Sequence, residues 1–343
     1  MADPGAGRPR SGPDGVGPPD GGAPTRVAVC VCTFRRPDSL DRLLRSLAGQ
    51  RFEEEPPEWE LVVVDNDPDG SARPVVERWA GRIDGPVRYA VEPRRGIPHA
   101  RNRALAEASD EADVIAILDD DQWAGSGWLE ALLRGLVRHD ADVVTGPRLP
   151  LYPGDVPGWV ARAGLFAGKR WPSGREVRIA YTHNVAFRTG ILDELEGWFD
   201  EALVGTGGSD TDFFHRVRLL GRKMVWIDEA VTFEPVPERR ASAGWIVRRF
   251  YRFGTTAGLL QRRRETRLAG TLARTGRALG RGLLAPLRLA ALPHRGRGAA
   301  VRAAADVAFS AGYLMGVAGF GYEEYGRRRQ GGAEPIPGTR EGA

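Results

Sequence analysis

Three polar clusters each close a run of apolar, largely β-branched residues: Thr33-Phe34-Arg35 after Val27–Cys32, Asp65-Asn66-Asp67 after Leu61–Val64, and Asp119-Asp120-Asp121 after Val114–Leu118. Short apolar runs bounded by polar residues read as buried strands. In an open parallel sheet, ligands gather outside the carboxyl ends of the strands. Two of the clusters deliver carboxylates to that edge. Asp119 and Asp121 are two apart, so along an extended chain they point to one side and Asp120 to the other. That spacing suits Mg²⁺ or Mn²⁺, which bind carboxylate oxygens and keep positions open for nucleotide phosphates. The plain alternative is a solvated acidic turn, and the mutual repulsion of three adjacent carboxylates argues against it. The pattern predicts a divalent-cation site without saying what the cation serves.

Positioning these groups requires a parallel sheet covered by helices, and the chain alternates accordingly from Arg26 onward. Pro37 opens a helix whose apolar positions Leu40, Leu43, Leu44 and Leu47 recur at helical spacing. A helix over residues 74–79, a strand over 87–91, helices over 99–108 and 128–137 and a strand at Val143-Val144 complete the first half. Residues 147–174, rich in Pro and Gly, read as a long loop. A strand over 179–187, a helix over 209–220 and a short strand over 224–227 follow. Beyond Ala241 the chain turns helical and arginine-rich.

With 343 residues, 42% of them hydrophobic, the chain can bury one full-sized domain and still carry appendages. The net charge is only +4, but arginine concentrates between Arg239 and Arg302. Such a segment suits an anionic membrane face or a phosphorylated lipid, or it is a solvated helix surface. Residues 307–322 lack charge but are glycine-rich and too short an apolar run to span a bilayer, which predicts a packed or interfacial helix. The first 25 residues, rich in Gly, Pro and Asp, are expected to be a disordered tail rather than a signal or an anchor. Cys30 and Cys32 share a strand face and behave as small hydrophobes, which favours a reducing, cytoplasmic setting.

The set Val29-Cys30-Val31-Cys32-Thr33-Phe34-Arg35, Val62-Val63-Val64-Asp65-Asn66, Gly96-Ile97-Pro98-His99-Ala100-Arg101-Asn102 and Leu118-Asp119-Asp120-Asp121 resembles the family 2 glycosyltransferases of the GT-A fold. The resemblance continues through Asn184-Val185-Ala186-Phe187-Arg188 and Gly207-Gly208-Ser209-Asp210-Thr211-Asp212, covering roughly residues 26–258, and within the family it is most similar to succinoglycan-type enzymes of bacterial polysaccharide assembly. It implies an α/β, Rossmann-like GT-A domain over residues 26–241; beyond it the composition is read as a basic helical extension over 242–325, expected to dock peripherally at the inner face of the plasma membrane, and a disordered tail over 326–343. The resemblance further implies that Thr33 and Arg35 line the nucleotide pocket, that Asp65 holds the base or ribose, and that Asp121 is the principal ligand of a Mn²⁺ or Mg²⁺ ion, assisted by Asp119. Arg101 and Asn102 are placed to reach the donor diphosphate or sugar; an ordinary surface arginine is the alternative for Arg101.

Asp210 matches the second residue of the family's Glu-Asp pair, which implies that it is the catalytic base; Ser209 departs from the pair. A capping reading competes, with Ser209 as N-cap and Asp212 three residues on, and it would set Asp210 on a first helical turn where the dipole favours an ionised carboxylate. Asn184 and Asp212 are expected on the acceptor side. Glu234 stands where many members carry a metal-binding histidine and is expected to replace it. Arg248, Arg249 and Arg252 fall where basic residues often cover the diphosphate. For Trp123, Trp128, Trp171 and Trp198, packing is the expected role.

The reading is an inverting transfer of a sugar from a nucleotide-sugar donor, UDP being the commonest carrier in the family, to a saccharide or lipid-linked acceptor, with no nucleic-acid partner. A nucleotidyltransferase would show a glycine-rich phosphate loop after the first strand, and Thr33-Phe34-Arg35-Arg36-Pro37 is not one. A catalytically silent binding partner would not need Asp119, Asp121 and Asp210 together.

Overall fold

In the computed structural model, residues 24–264, 268–285 and 296–321 are described. Nearly all of the expected N-terminal tail, and all of residues 326–343, lie outside them.

Val27, Val29 and Val31 of β1 (Arg26–Thr33) face one side of a sheet, and Ala28 and Cys30 face the other. The first set packs on Leu40, Leu43, Leu44 and Leu47 of α1 (Pro37–Ala48), and the second on Ala100, Ala104 and Leu105 of α3 (Ile97–Glu107). Each fully buried leucine contributes about 1.5–3 kcal/mol by leaving water. Between these helices run β2 (Glu58–Asp65), α2 (Arg73–Ala80) and β3 (Val87–Val91), and β4 (Val114–Asp119) follows α3. After β5 (Trp123–Ala124) come α4 (Trp128–Arg138), β6 (Val143–Thr145), β7 (Arg148–Leu151), α5 (Gly158–Ala163) and β8 (Asn184–Arg188). Beyond α6 (Ile191–Glu194) lie α7 (Ser209–Leu219), β9 (Met224–Trp226) and β10 (Thr232–Pro235).

The main sheet has the order β3-β2-β1-β4-β8-β6-β9. Strands β3, β2, β1 and β4 are parallel, and β8 alone runs antiparallel to both of its neighbours. The chain order switches direction at β1, where Thr33 pairs with Asp65 and Cys32 with Asp119. The three polar clusters therefore end side by side, as a strand-end site demands.

Two expectations are corrected. The strand expected over residues 179–187 begins only at Asn184, and the loop expected over 147–174 contains β7 and α5. β7 joins β10 and β5 in a second, three-stranded sheet, with β10 parallel to β7 and antiparallel to β5. These strands have two to four residues, two of them interrupted by Pro150 or Pro235, so no alternation could announce them.

The extension folds as α8 (Ala243–Arg264), α9 (Leu268–Leu283) and α10 (Gly296–Ala318). α8 and α10 run parallel in near-backbone contact: a methyl group on Gly312 would lie 2.1 Å from the Tyr251 carbonyl oxygen, and one on Gly316 2.2 Å from that of Thr255. Only glycine permits this approach. Asp306 is buried in the middle of α10, its carboxylate 2.5 Å from Arg281 on α9. α8 also backs the start of α7, where Thr256 donates a hydrogen bond to the Thr206 carbonyl and Arg264 donates one to that of Thr211. No helix among the described residues is long and apolar enough to cross a membrane.

Candidate active site

β4 ends at Asp119 and the chain turns at once, with the Gln122 amide donating to the Asp119 carbonyl. The extended alternation expected for Asp119 and Asp121 therefore does not hold: Asp120 and Asp121 both reach Arg36, while Asp119 turns to Arg101. Asp120 is buried, accepting a hydrogen bond from the Thr33 hydroxyl at 2.8 Å and one from Arg36 at 2.9 Å. Thr33 thus orients the acidic turn from below. Asp121 meets Arg36 at 3.3 Å and Arg240 at 3.6 Å.

Asp119 faces Arg101, 3.6 Å away, with its side chain 39% exposed. Its carboxyl is held above the usual carboxylate range, first by the water it loses in the cleft and then by Asp121, Asp120 and Asp210, with Arg101 opposing. Carboxylates from β4 and from the start of α7 therefore share one cleft, and Arg101 spans it. That guanidinium is 8% exposed and donates to the Ser209 hydroxyl at 3.3 Å while facing Asp119.

At the start of α7 the N-cap is Gly208, in a left-handed conformation at φ 90°, and it makes no side-chain capping bond. This corrects the capping reading: Ser209 is a buried first-turn residue held by Arg101. Asp210 does lie on the first turn, its Oδ1 accepting from the Thr211 amide at 2.6 Å. Its neighbour Tyr181 has a phenol pushed up to about 12, first by burial and then by Asp210. Tyr181 stacks on His183 at 5.6 Å, and burial, with Arg148 and Arg101 nearby, pushes that imidazole down to about 3.

Several expected ligand contacts are not available. Asp65 is fully buried, taking hydrogen bonds from the amides of Asp67 and Ala72 and from the Tyr89 hydroxyl, so it braces the loop after β2. Asn102 is tied to Phe199 through both its amide groups. Asn184 is buried, accepting from the Trp128 indole and donating to the carbonyls of Pro147 and Ala230. Asp212 is held by Arg216 and Arg264. Glu234 lies between Arg148 at 2.6 Å and Arg240 at 3.0 Å. With each carboxylate oxygen paired to a guanidinium, Glu234 positions Arg240 against Asp121 instead of presenting a lone pair to a cation. Arg249 is enclosed by Phe166, Trp245 and Phe253 at 5.1–5.3 Å, and burial lowers it to about 10.

Arg35 remains at the edge, 59% exposed, forking onto Asp67 and so joining the loops after β1 and β2. Arg36, Arg240 and Tyr181 went unremarked in the sequence. Arg36 follows a recognised motif residue and could have been found; Arg240 arrives from a 3₁₀ turn after β10 with no local signal.

The sequence profile described as "Glycosyl transferase family 2" matches residues 28–195. The chain is 36% identical over 236 residues to the Succinoglycan biosynthesis protein ExoM of Rhizobium meliloti (strain 1021), covering 68% of this chain and 74% of that protein. The chain belongs to glycosyltransferase family 2. The Glucosyl-dolichyl phosphate glucuronosyltransferase of Haloferax volcanii is 27% identical over 247 residues, which are 66% of this chain and 74% of that one. The fold is shared with the mannosyltransferase PcManGT of Pyrobaculum calidifontis, solved with GDP-Man and Mn²⁺, at a TM-score of 0.56 and 19% identity over 89% of this chain and 90% of that one.

A divalent cation fits this edge of the family 2 domain. Asp119 and Asp121 are near enough that, after the loss of water, Asp121 helps hold the Asp119 carboxyl above the usual carboxylate range, with Arg101 opposing. Magnesium-type ions bind through one or two carboxylates plus substrate phosphates, so no third protein ligand is required.

Proposed function

We propose that this glycosyltransferase is metal-dependent and inverting, moving a sugar from a nucleotide diphosphate donor, UDP-linked by family frequency, to a hydroxyl of a saccharide or lipid-linked acceptor in the assembly of a cell-surface polysaccharide or glycoconjugate. The observation that carries this reading is the Arg101 bridge, which joins Asp119 at the donor edge to Ser209, the residue before Asp210. Asp119 and Asp121 would hold the Mn²⁺ or Mg²⁺ ion, which supplies charge neutralisation to the leaving diphosphate.

The protein's own groups do the remainder. Arg36 and Arg240 border the acidic turn, Arg35 holds Asp67 just after β2, and all three can exchange their carboxylate partners for phosphate oxygens, to which the guanidinium fork is equally suited. Asp210 Oδ1 is engaged by Thr211, which leaves Oδ2 to take the proton of an acceptor hydroxyl. Tyr181 and His183 offer that acceptor an aromatic wall beside the base. A base acting on the acceptor from the face opposite the leaving group needs no covalent enzyme intermediate, and that path inverts the anomeric centre.

A thermal-shift screen of nucleotide sugars tests the donor class. A ligand that binds only the native state at about 100 times its Kd adds about 2.7 kcal/mol. At least one nucleotide sugar should raise the melting temperature with Mn²⁺ present and do so much less with chelator. A screen in which no nucleotide sugar shifts the metal-loaded protein would overturn the assignment.

The extension adds peripheral membrane contact to this reading. Leu279, Leu283 and Leu284, on or just after α9, and Val307, Leu314 and Met315 of α10 are exposed in an arginine-rich segment, a combination that suits an anionic bilayer surface. The protein should sediment with anionic vesicles at low salt and detach as salt screens the attraction. Equal recovery with neutral and anionic vesicles would contradict it.

A further inference from the structure

Behind the first turn of α7 lies a second concavity, of about 380 Å³, lined by Arg178, His215, Arg218, Arg264, Arg274 and Arg277. Ile179 and Thr211 complete it, and no acidic side chain is among its lining residues. Four elements converge there: the segment before β8, α7, the end of α8 and α9. Five guanidinium groups around so small a space repel one another, and solvated arginines would spread apart. Three of them are held in place instead. Arg264 donates to the Thr211 carbonyl at 2.9 Å and pairs with Asp212 at 3.3 Å, Arg218 lies 3.3 Å from His215 Nδ1, and Arg274 donates to Gln261 at 2.5 Å. The Nε of Arg264 is buried with no hydrogen-bond partner, so the best-enclosed guanidinium still has a donor to offer. Burial and the neighbouring arginines together push His215 down to about 4, as a concentrated positive potential requires.

A lone phosphate or diphosphate answers all of these features, since it brings clustered negative charge and several acceptor oxygens to planar forks. The pocket's place decides which substrate carries it. Thr211 lines the pocket and adjoins Asp210, whereas the acidic turn lies across the cleft. An anion here stands on the acceptor side. We propose that this pocket binds a phosphate or diphosphate group borne by the acceptor, holding the acceptor so that its hydroxyl meets Asp210. The acceptor placement rests on the reading of Asp210 as the base; the anion site itself does not.

The test is calorimetry on the full chain in chelator, with inorganic pyrophosphate and farnesyl diphosphate as probes. The comparison is with the double variant Arg178→Ser/Arg277→Ser, which alters neither the acidic turn nor Asp210. The parent should bind at least farnesyl diphosphate, and the double variant should bind it roughly ten- to a hundredfold more weakly. Asp121→Asn, which alters the donor edge, should bind as the parent does. Tighter binding of farnesyl diphosphate than of pyrophosphate identifies a lipid-borne head group; equal binding identifies a soluble phosphate ester. Failure of both probes to bind the parent, or equal affinity in parent and double variant, would overturn the proposal. UDP binding with Mn²⁺ in the same double variant reports on the donor reading separately and should be unchanged.

Discussion

Asp210→Asn is expected to lower turnover of nucleotide sugar by roughly 10²- to 10⁴-fold, the usual contribution of a positioned general base. Melting temperature and donor affinity should stay near those of the parent. Asparagine keeps the oxygen that accepts the Thr211 amide, so the first turn of α7 survives the change. The helix start does not depend on this carboxylate for its cap, because Gly208 occupies that position without a side-chain bond. Loss of chemistry without loss of stability separates a proton acceptor from a structural acid. Near-parental turnover in a folded, saturated variant would remove Asp210 from the mechanism. Asp212 would be a poor replacement, since Arg216 and Arg264 hold it.

Asp121→Asn should reduce turnover roughly 10²- to 10³-fold, because a cation at a leaving diphosphate supplies several kcal/mol of charge stabilisation. It should also weaken UDP binding in Mn²⁺ to the level the parent shows in chelator. Asp121 is 23% exposed and its partners Arg36 and Arg240 are retained, so the substitution leaves the fold intact. A variant that binds UDP as tightly as the parent and still responds to Mn²⁺ would place the cation on other groups.

The first half of the fold was legible because its strands and helices carry clean periodicity: Leu40, Leu43, Leu44 and Leu47 all fall on the buried face of α1, and the polar clusters sit where β1, β2 and β4 end. The three-stranded sheet was not, being made of strands too short to alternate. The sequence placed the acidic triplet at the end of β4 and Asp210 on the first turn of α7, and the structure has them there; their roles are part of the proposal. It was misread wherever a polar residue serves the scaffold. Asn184 and Asn102 look like ligand residues in sequence, yet each is consumed by backbone groups across a long loop closure. Asp65 likewise caps its own turn, and Glu234 was assigned to a cation although two arginines from distant segments claim it. Those partners are distant in sequence, so only the fold shows that the residues are taken.

The central claim is that one cleft joins a metal-assisted donor edge to a base on α7, and donor hydrolysis tests it most directly because water stands in for the acceptor. Release of UDP from the UDP-sugar selected by thermal shift would be followed in chelated protein as Mn²⁺ is added back, with the parent, Asp121→Asn and Asp210→Asn side by side. The account predicts that the parent gains activity with Mn²⁺, that Asp121→Asn binds donor weakly and gains little, and that Asp210→Asn binds donor normally with Mn²⁺ yet hydrolyses it at least about 10²-fold more slowly. Hydrolysis in chelator equal to that in Mn²⁺, or an Asp210→Asn variant as fast as the parent, would contradict it.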